Sequence, residues 1–583
     1  MRRTRRGMLT VLTTLAVTAG VGGCSDDFVD DLAASSSGSG SFSRGNGVSG
    51  PDERLTVLAA GPVQAWDPQR ITDRRTAGFA SRTWMRTLTA YPPDSALSRQ
   101  RTVTGDLAKG TGKPSRDATR WTFQLRKGVT WQDGSRITCE DIRHGVARSF
   151  DPKIASSGYA LTYLDIPKKA DGSSVYPGPR EGTSKKARRL IAEAVECPDS
   201  RTVVFNLAQS VGNFDEIVSL PEFAPVKHSL SEKGATHRAY SSGPYRLKGD
   251  WTPSKGGTWV RNTKWDPDSD PLRSPGPATI LHQEGIAPKD ALGQILHGKD
   301  GARTLALDPM PTSLHEAIRE SGSLVQSVET DGQLVDYLAV NAKSRPLKSV
   351  HTRRALAAAT DREAYAAAMG TGIPTWSLLG SALPSAHETV LDHGPGGDPE
   401  TAKALLKKAK VDTPVKLTLA HRAGGPLEKG LEALLPQWSK AGFEVTLVPV
   451  KGEYFDEISD PSFVAEHDLI WANWGPDYPS AVTVLPPLFD DRINLSKTSV
   501  GRDYGRYADD DLNEAMDDAA ALEDTAERTA AWAKVDSTLL KDGVYLPLSQ
   551  SRLTHVAGSA VTDFVGNPVH GGTPEMGRIG VER

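Results

Sequence analysis

Short segments of the chain either alternate apolar and polar residues or hold a brief apolar run. Alternation with a period of two is typical of a strand with one buried face, and a brief run is typical of a strand buried on both faces. Trp121, Phe123 and Leu125, for example, share one face of such a segment. Together these patterns predict strands over 55–60, 121–125, 201–207, 335–341, 415–420, 443–450 and 467–472.

A turn and a helix are predicted directly after the second of these strands. Val129 and Trp131 resume the alternation after a glycine, and Asp133–Gly134 has the composition of a turn. Thr138 is followed three residues later by Asp141, which is the pattern of a capping box. We therefore expect a helix to begin just after Thr138.

In the second half of the chain, strands alternate with segments that have the period of a helix. One or two helices are predicted over 349–370, and another is predicted over 427–441. The latter lies between two predicted strands and ends before Gly442, so these three elements predict a βαβ unit. Pro436 lies inside that helix and is expected to kink it.

The composition changes this picture little. The 583 residues are 38% hydrophobic and 24% charged, which is ordinary for a globular protein and allows two or three domains. The net charge of -3 gives neither the basic surface of a nucleic-acid-binding protein nor a polybasic patch for a membrane. We therefore expect no nucleic-acid partner.

Residues 1–24 are predicted to be a lipoprotein signal peptide. Several arginines precede an apolar segment, Met8–Val21, which is too short and too rich in small residues to span a membrane. Cys24 follows a small-residue cleavage site and resembles the cysteine of a lipobox, which is acylated and becomes the mature N-terminus. The alternative is an ordinary signal peptide with an incidental cysteine. The export route stays open, because residues 4–9 match a twin-arginine signal only loosely.

A disordered tether is predicted over residues 25–53. This stretch is rich in Gly, Ser and Asp and holds almost nothing that a core could bury. A chain of this length and composition has an r.m.s. reach of about 30 Å. The prediction is a folded body held just outside the membrane by a lipid anchor.

Two further cysteines, Cys139 and Cys197, remain for the folded body. An even pair in an exported protein is a candidate disulfide, and the alternative is two buried thiols. We predict the disulfide.

One carboxylate, Asp477, lies among aromatic residues in the stretch WANWGPDYPS, where its neighbours are Trp471, Trp474 and Tyr478. The predicted strand 467–472 places it just past the carboxyl end of a strand, where ligands bind in open α/β sheets. Such an acid is a catalytic carboxylate, a charged partner for a ligand, or part of a surface turn.

The chain lacks the catalytic and metal-binding motifs that would favour an enzyme. No G-x-S-x-G, S-x-x-K or phosphate-binding G-x-x-x-x-G-K-[ST] motif occurs. His387, Glu388 and His393 have the wrong spacing for a zinc site on one helical face. We therefore expect no metal and no cofactor, and we expect that the protein is not an enzyme.

Several blocks of the chain resemble the bacterial extracellular solute-binding proteins of family 5, which serve ABC importers. They extend in the family's order from about residue 54 to about residue 550. The blocks are WTFQLRKGVTWQDGSRITCEDIRHGVARSF, SSGPYRL with WVRNTKWDP, YLAVNAKSRPLKSVHTRRALAAATDRE and NWGPDYPS.

This resemblance implies a fold, an organisation and a set of partners. The fold is a two-lobed α/β clamp of the periplasmic-binding-protein type (type II, large family 5 class), with an extra subdomain in the first lobe. The first lobe would comprise 54–335 and 545–583, and the second 336–544. The protein would act as a monomer outside the cell membrane and deliver its ligand to the permease subunits of an ABC importer.

The resemblance also implies a ligand and its contacts. In peptide-binding members the aspartate of this loop pairs with the α-amino group of the peptide, which would be the role of Asp477. Trp474 would form a stacking wall, the backbones of Asn473 and Gly475 would bind the peptide main chain, and Tyr478 would complete the site. A metal chelate, a sugar or an opine is the alternative ligand within the family, and a lipid-anchored hydrolase is the alternative outside it.

Overall fold

The computed structural model describes residues 53–154, 158–170, 172–180, 182–230, 234–274, 276–384 and 394–582. The predicted signal peptide with Cys24, nearly all of the predicted tether, and His387, Glu388 and His393 lie outside these residues. Within the described ranges, no helix is both long enough and apolar enough to cross a membrane.

A large mixed sheet organises the described part of the chain. Its strands lie side by side in the order Phe443–Val450, Val415–Arg422, Leu469–Trp474, Val325–Val340, Tyr545–Gly558, Thr304–Ala306, Arg54–Leu58, Thr279–Gln283, Gly256–Arg261 and Tyr245–Thr252. A further short strand, Ile373–Pro374, pairs with Tyr545–Gly558.

The two longest strands, Val325–Val340 and Tyr545–Gly558, run antiparallel through the middle of this sheet. Their register shifts between Asp331 and Val335. The first of them begins ten residues before the predicted strand, because its polar N-terminal half pairs with the other long strand without an apolar run. The predicted lobe boundaries fall within or at the start of these two strands and stay a prediction.

A second, four-stranded antiparallel sheet consists of Lys113–Pro114, Arg120–Gln124, Thr202–Asn206 and Val195–Asp199. The predicted alternation is confirmed, because Trp121 and Phe123 are buried and their strand neighbours are more exposed. Three further pairs of two-residue strands are Thr89–Ala90 with Thr104–Gly105, Val561–Thr562 with Gly580–Val581, and Gly566–Asn567 with Thr573–Pro574.

The helices of eight or more residues lie between these strands. They are Arg74–Thr83, Cys139–Arg148, Lys185–Ala194, Pro288–His297, Val350–Ala358, Arg362–Met369, Pro399–Ala409, Pro426–Ala441, Asp510–Ala521 and Thr525–Asp542. Shorter helices are Leu97–Gln100, Tyr159–Tyr163, Phe214–Ile217, His315–Glu320, Tyr454–Glu457, Pro461–Ala465, Leu485–Phe489 and Asp491–Asn494.

The predicted helix starts and the βαβ unit are confirmed. Thr138 and Asp141 form the capping box at the start of Cys139–Arg148. The strands on either side of Pro426–Ala441 are parallel, and that helix continues through Pro436. The segment 349–370 forms two helices and ends at Gly370 in a left-handed conformation.

The resumption of the strand at Val129 and Trp131 is wrong. Only an isolated bridge between Thr130 and Arg136 forms there. The physical reason is the tight turn that follows, since the backbone N–H of Trp131 donates to the carbonyl of Ser135 at 2.8 Å. The chain therefore folds back on itself before a strand can extend.

Buried apolar side chains form three large groups. One group comes from 335–548, a second mainly from 88–223, and a third from 55–85, 224–307 and 557–581. Each group is a separate hydrophobic core. Three such cores are what we expect for two lobes with an extra subdomain in the first.

Cys139 and Cys197 are joined by a disulfide in the structure, with their Cα atoms 5.7 Å apart. The bond ties the first turn of Cys139–Arg148 to the strand Val195–Asp199. For the exported protein, we predict that peptide mapping without a reductant recovers these two cysteines as one cross-linked pair. Two thiols that react with an alkylating agent in the folded, exported protein would contradict the disulfide.

Candidate ligand-binding site

Asp477 lies three residues after the strand Leu469–Trp474 and receives its partners from distant parts of the chain. The Tyr159 hydroxyl donates to Oδ2 of Asp477 at 2.6 Å. Nη2 of Arg74 lies 3.7 Å from Oδ1 of Asp477 and donates to the carbonyl oxygen of Gly475 at 2.8 Å. The Asp477 side chain is 46% exposed, so this carboxylate meets solvent and is not enclosed by the aromatic residues beside it in sequence.

Tyr159 is a neutral donor to this carboxylate. Burial raises the pKa of Tyr159 well above its ordinary value, and the negative charge of Asp477 raises it further. The phenol therefore keeps its proton at neutral pH and is a neutral hydrogen-bond donor to Asp477.

Thr483 fixes the loop that carries Asp477. Its hydroxyl accepts from the backbone N–H of Asp477 at 3.2 Å, and its carbonyl accepts from Nε1 of Trp474 at 2.9 Å. The same hydroxyl donates to the carbonyl of Ser480 at 2.9 Å. The carboxylate is therefore held in position by a loop that Thr483 stabilises with hydrogen bonds, and it is not on a loosely held surface turn.

Trp474 is half-buried, and one of its faces already carries a cation. The guanidinium carbon of Arg502 lies 4.7 Å from the centre of its ring. This is the distance of a cation–π contact, which is strongest with tryptophan. The predicted stacking wall is therefore part of an arginine–tryptophan pair in this structure.

Tyr478 is a core residue in this structure. Its side chain is 2% exposed and belongs to the buried group formed mainly by 88–223. Nδ2 of Asn213 donates to the Tyr478 hydroxyl at 3.4 Å, and the ring of Tyr159 lies 6.0 Å away, centre to centre. Tyr478 thus anchors the Asp477 loop to the neighbouring core, and its predicted contact with a ligand stays untested.

Trp471, the other tryptophan of this stretch, is also buried. Its Nε1 donates to the hydroxyl of Tyr365 at 3.2 Å, and Arg422 lies over its ring at 5.7 Å. Its ring nitrogen is therefore satisfied by Tyr365, and the ring packs in the protein interior and not against Asp477.

The predicted backbone contacts fall at the end of the strand. Asn473 lies opposite Asp336 in the strand ladder, so it belongs to the strand and not to the loop. A side chain at Gly475 would meet the carbonyl oxygen of Gln333, since an added Cβ would come within 2.5 Å of it. Glycine at this position therefore permits the close approach of these two backbones.

Asp336 is a titrating group beside this strand end. Burial raises its pKa to about 6, although hydrogen bonds from Tyr365 and Asn473 and the positive charge of Arg422 favour the ionised form. The Tyr365 hydroxyl donates to Oδ2 of Asp336 at 2.9 Å.

Asp336→Asn is expected to gain stability relative to the wild type as pH rises from about 4 to about 6. In this window the unfolded chain has lost the Asp336 proton, since an unperturbed Asp has a pKa of about 3.9, and the folded protein retains it. The wild type therefore loses up to about 1.4 kcal/mol of unfolding free energy per pH unit that the variant does not lose. Urea denaturation of both proteins across this window measures the difference, and a difference that does not change with pH would contradict the raised pKa.

Four residues around Asp477 have no local sequence signal that predicts their place there: Arg74, Tyr159, Thr483 and Arg502. Tyr159 and Asp477 are separated by 318 residues, so no local pattern connects them. Within the described residues, no group of three or more His, Cys, Asp or Glu side chains is placed to hold a metal ion.

Comparison with known proteins identifies the class of this protein. The model of the bacterial extracellular solute-binding proteins, family 5, matches residues 102–495, which is more than half of the chain. The chain therefore belongs to this family. The predicted family and fold class are confirmed.

The individual proteins that this chain resembles have low sequence identity to it. The periplasmic oligopeptide-binding protein OppA of Escherichia coli (strain K12) is 24% identical over 450 residues, which cover 74% of this chain and 77% of the relative. The probable deoxycholate-binding periplasmic protein YgiS of the same organism is 25% identical over 468 residues, with coverages of 77% and 80%. The solved structure of clavulanic acid biosynthesis oligopeptide binding protein 2 superposes with a TM-score of 0.79 at 24% identity, and covers 92% of this chain and 97% of that one.

Proposed function

We propose that this protein captures peptides outside the cell membrane and delivers them to the permease of an ABC importer. Family membership supports the role of a solute-binding protein. The relative named for oligopeptides supports the class of ligand. The observation that carries the proposal is the half-exposed carboxylate of Asp477, which lies just past the carboxyl end of the strand Leu469–Trp474 in a loop held by Thr483.

The proposed contacts follow from what this loop presents. The carboxylate of Asp477 pairs with the ammonium group at the peptide's N-terminus, because a charge-assisted hydrogen bond gains strength when water is excluded. The strand end at Asn473 and the carbonyl of Gly475 bind the peptide main chain, and the Gly475 carbonyl accepts from its first nitrogen, which is the ammonium group. Trp474 packs against the main chain. Because the protein would contact the peptide mainly through its main chain and its amine, the peptide's side chains would make few specific contacts. We therefore expect the protein to bind peptides of many sequences.

A second candidate is a non-peptide solute carried in the same way. The relative named for deoxycholate favours it, because that ligand has no amine for an aspartate to bind. Metal chelates, sugars and opines belong to the same candidate. For a ligand without an amine, Asp477 would be a structural partner of Arg74 and Tyr159 only.

Mass spectrometry of the ligand that co-purifies with the protein tests the proposal. We expect a mixture of peptides with free N-termini, released on denaturation from protein purified in a mild buffer. Incubation of the protein with such peptides should return them intact, since we propose binding without hydrolysis. A single non-peptide compound would contradict peptide capture, and shortened peptides would favour a hydrolase.

We also propose that the protein is anchored to the outer face of the cell membrane through lipid on Cys24. Cys24→Ala should therefore appear in the medium or remain as unprocessed precursor, because the cysteine provides the thioether for the lipid and defines the cleavage site. Membrane fractionation and metabolic labelling with a fatty acid measure this. Cys24→Ala that fractionates and is processed like the wild type would contradict the lipid anchor.

A further inference from the structure

Arg74 occupies both acceptors that we assign to the ammonium group of a peptide. Its Nη2 donates to the carbonyl oxygen of Gly475 at 2.8 Å and lies 3.7 Å from Oδ1 of Asp477. We propose that Arg74 is an internal competitor for the ligand's ammonium group, and that it leaves these acceptors when a peptide binds. This inference rests on the proposed peptide-binding function.

The remaining contacts of the carboxylate are compatible with such an exchange. Tyr159 donates to the other oxygen of Asp477 at 2.6 Å and carries no charge, so it stabilises the carboxylate whichever cation is present. Because Tyr159 occupies Oδ2, Arg74 and a ligand ammonium group compete for the same two acceptors, Oδ1 of Asp477 and the carbonyl of Gly475, where two adjacent cations would also repel each other. Tyr159 is thus a constant partner, and Arg74 is an exchangeable one.

Arg74 is placed so that its side chain can move away. The Arg74 side chain is 33% exposed and that of Asp477 is 46% exposed, and ion pairs with this access to water hold their geometry weakly. Arg74 is the first residue of its helix, and the cap is made by Asp73, which accepts from the backbone N–H of Thr76 at 2.8 Å. Movement of the Arg74 side chain therefore leaves the helix start intact.

The neighbouring arginine, Arg75, does not contact the Asp477 loop and binds other acceptors. Arg75 donates to Asp308 at 2.7 Å and to the carbonyl of Gly61 at 3.2 Å, so its guanidinium is committed to a different surface. Of these two adjacent arginines, Arg74 alone contacts the Asp477 loop in the structure. The competition is therefore a property of this position and not of a general positive charge at the start of the helix.

Competition between Arg74 and the peptide's ammonium group should lower the peptide affinity by an amount that can be measured. A ligand whose site is available only part of the time binds with an affinity reduced by that fraction. If Arg74 occupies the acceptors for half to nine tenths of the time, its removal should tighten the binding of a free-amine peptide about two- to tenfold. A peptide whose N-terminus is acetylated has no ammonium group to compete, so its affinity should not change.

Titration calorimetry with Arg74→Ala and the wild type tests this inference, using one peptide and its N-acetylated form. We expect Arg74→Ala to bind the free-amine peptide about two- to tenfold tighter than the wild type and the acetylated peptide equally. Arg74→Gln, which is shorter and uncharged but keeps an amide donor, should change in the same direction. In an Asp477→Ala background the Arg74 substitution should have no effect.

Arg116→Ala is the matched control, because it removes an exposed arginine outside the contacts described for Asp477. It should bind both peptides as the wild type does. Unchanged or weaker binding of the free-amine peptide by folded Arg74→Ala would overturn the inference, and weaker binding would show that Arg74 holds the ligand or the two lobes together. That result leaves peptide capture standing, since the wild type still binds; failure of both proteins to bind any peptide would overturn peptide capture together with this inference.

Discussion

Asp477→Ala should bind peptides with a free N-terminus about 30- to 150-fold more weakly than the wild type. In the complex the carboxylate would face the ligand's ammonium group, and truncation of one partner of such a pair costs about 2–5 kcal/mol when it is desolvated. We expect roughly 2–3 kcal/mol, because the Asp477 side chain is 46% exposed in the structure. The residue lies in a loop, so the unliganded fold should survive the change. Titration calorimetry measures the affinity directly.

Asp300→Ala is the control for this substitution. Asp300 pairs with Arg54 and its side chain is 49% exposed, so the change removes a carboxylate of similar exposure with a different partner. Thermal stabilisation by added peptide should shrink in Asp477→Ala and remain in Asp300→Ala, because this stabilisation depends on the ratio of ligand concentration to Kd. Equal peptide affinities for Asp477→Ala and the wild type would leave Asp477 without a role in binding.

Asp106→Asn should destabilise the fold by about 3–5 kcal/mol, because it unbalances a buried cluster of two arginines and two aspartates. Asp106 accepts from Nε of Arg86 at 2.7 Å and from Nη2 of Arg273 at 2.7 Å, and Asp270 lies 3.2 Å from Arg273. All four side chains are 1% exposed or less. The substitution keeps the volume of the side chain and leaves one arginine charge uncompensated in the interior.

The lowered pKa of Asp270 supports this expected loss of stability. Burial alone would raise the pKa of Asp270, but the charges of Arg86 and Arg273 lower it below its ordinary value. Denaturation in urea measures the loss of unfolding free energy. Asp300→Asn is the matched control, and at its exposed ion pair we expect a loss of at most about 1 kcal/mol. Similar losses for the two variants would contradict a strongly coupled buried cluster.

The helices and strands that were predicted correctly depend on residues that are close together in the sequence. The capping box at Thr138 needs only residues within one helical turn, and the strand around Trp121 needs only its own alternation. The βαβ unit that leads to Asp477 follows from hydrophobic period and from Gly442 at a helix end. The position of Asp477 past a strand end could therefore be predicted.

The partners of that carboxylate could not be predicted, because they depend on tertiary contacts. Arg74 and Tyr159 come from segments with no feature that distinguishes them from other arginines and tyrosines of the chain. The same reason explains the burial of Tyr478 among the residues of 88–223, which its position in a loop did not indicate. It also explains the Asp106 cluster, whose members are joined only by the fold.

The central claim is that Asp477 holds a peptide through the ammonium group at its N-terminus. The most direct test is titration calorimetry of the wild-type protein with one peptide and with the same peptide acetylated at its N-terminus. The account predicts that acetylation weakens binding by about 30-fold or more, because it removes the charge that the carboxylate recognises. Equal affinities for the two peptides would contradict it.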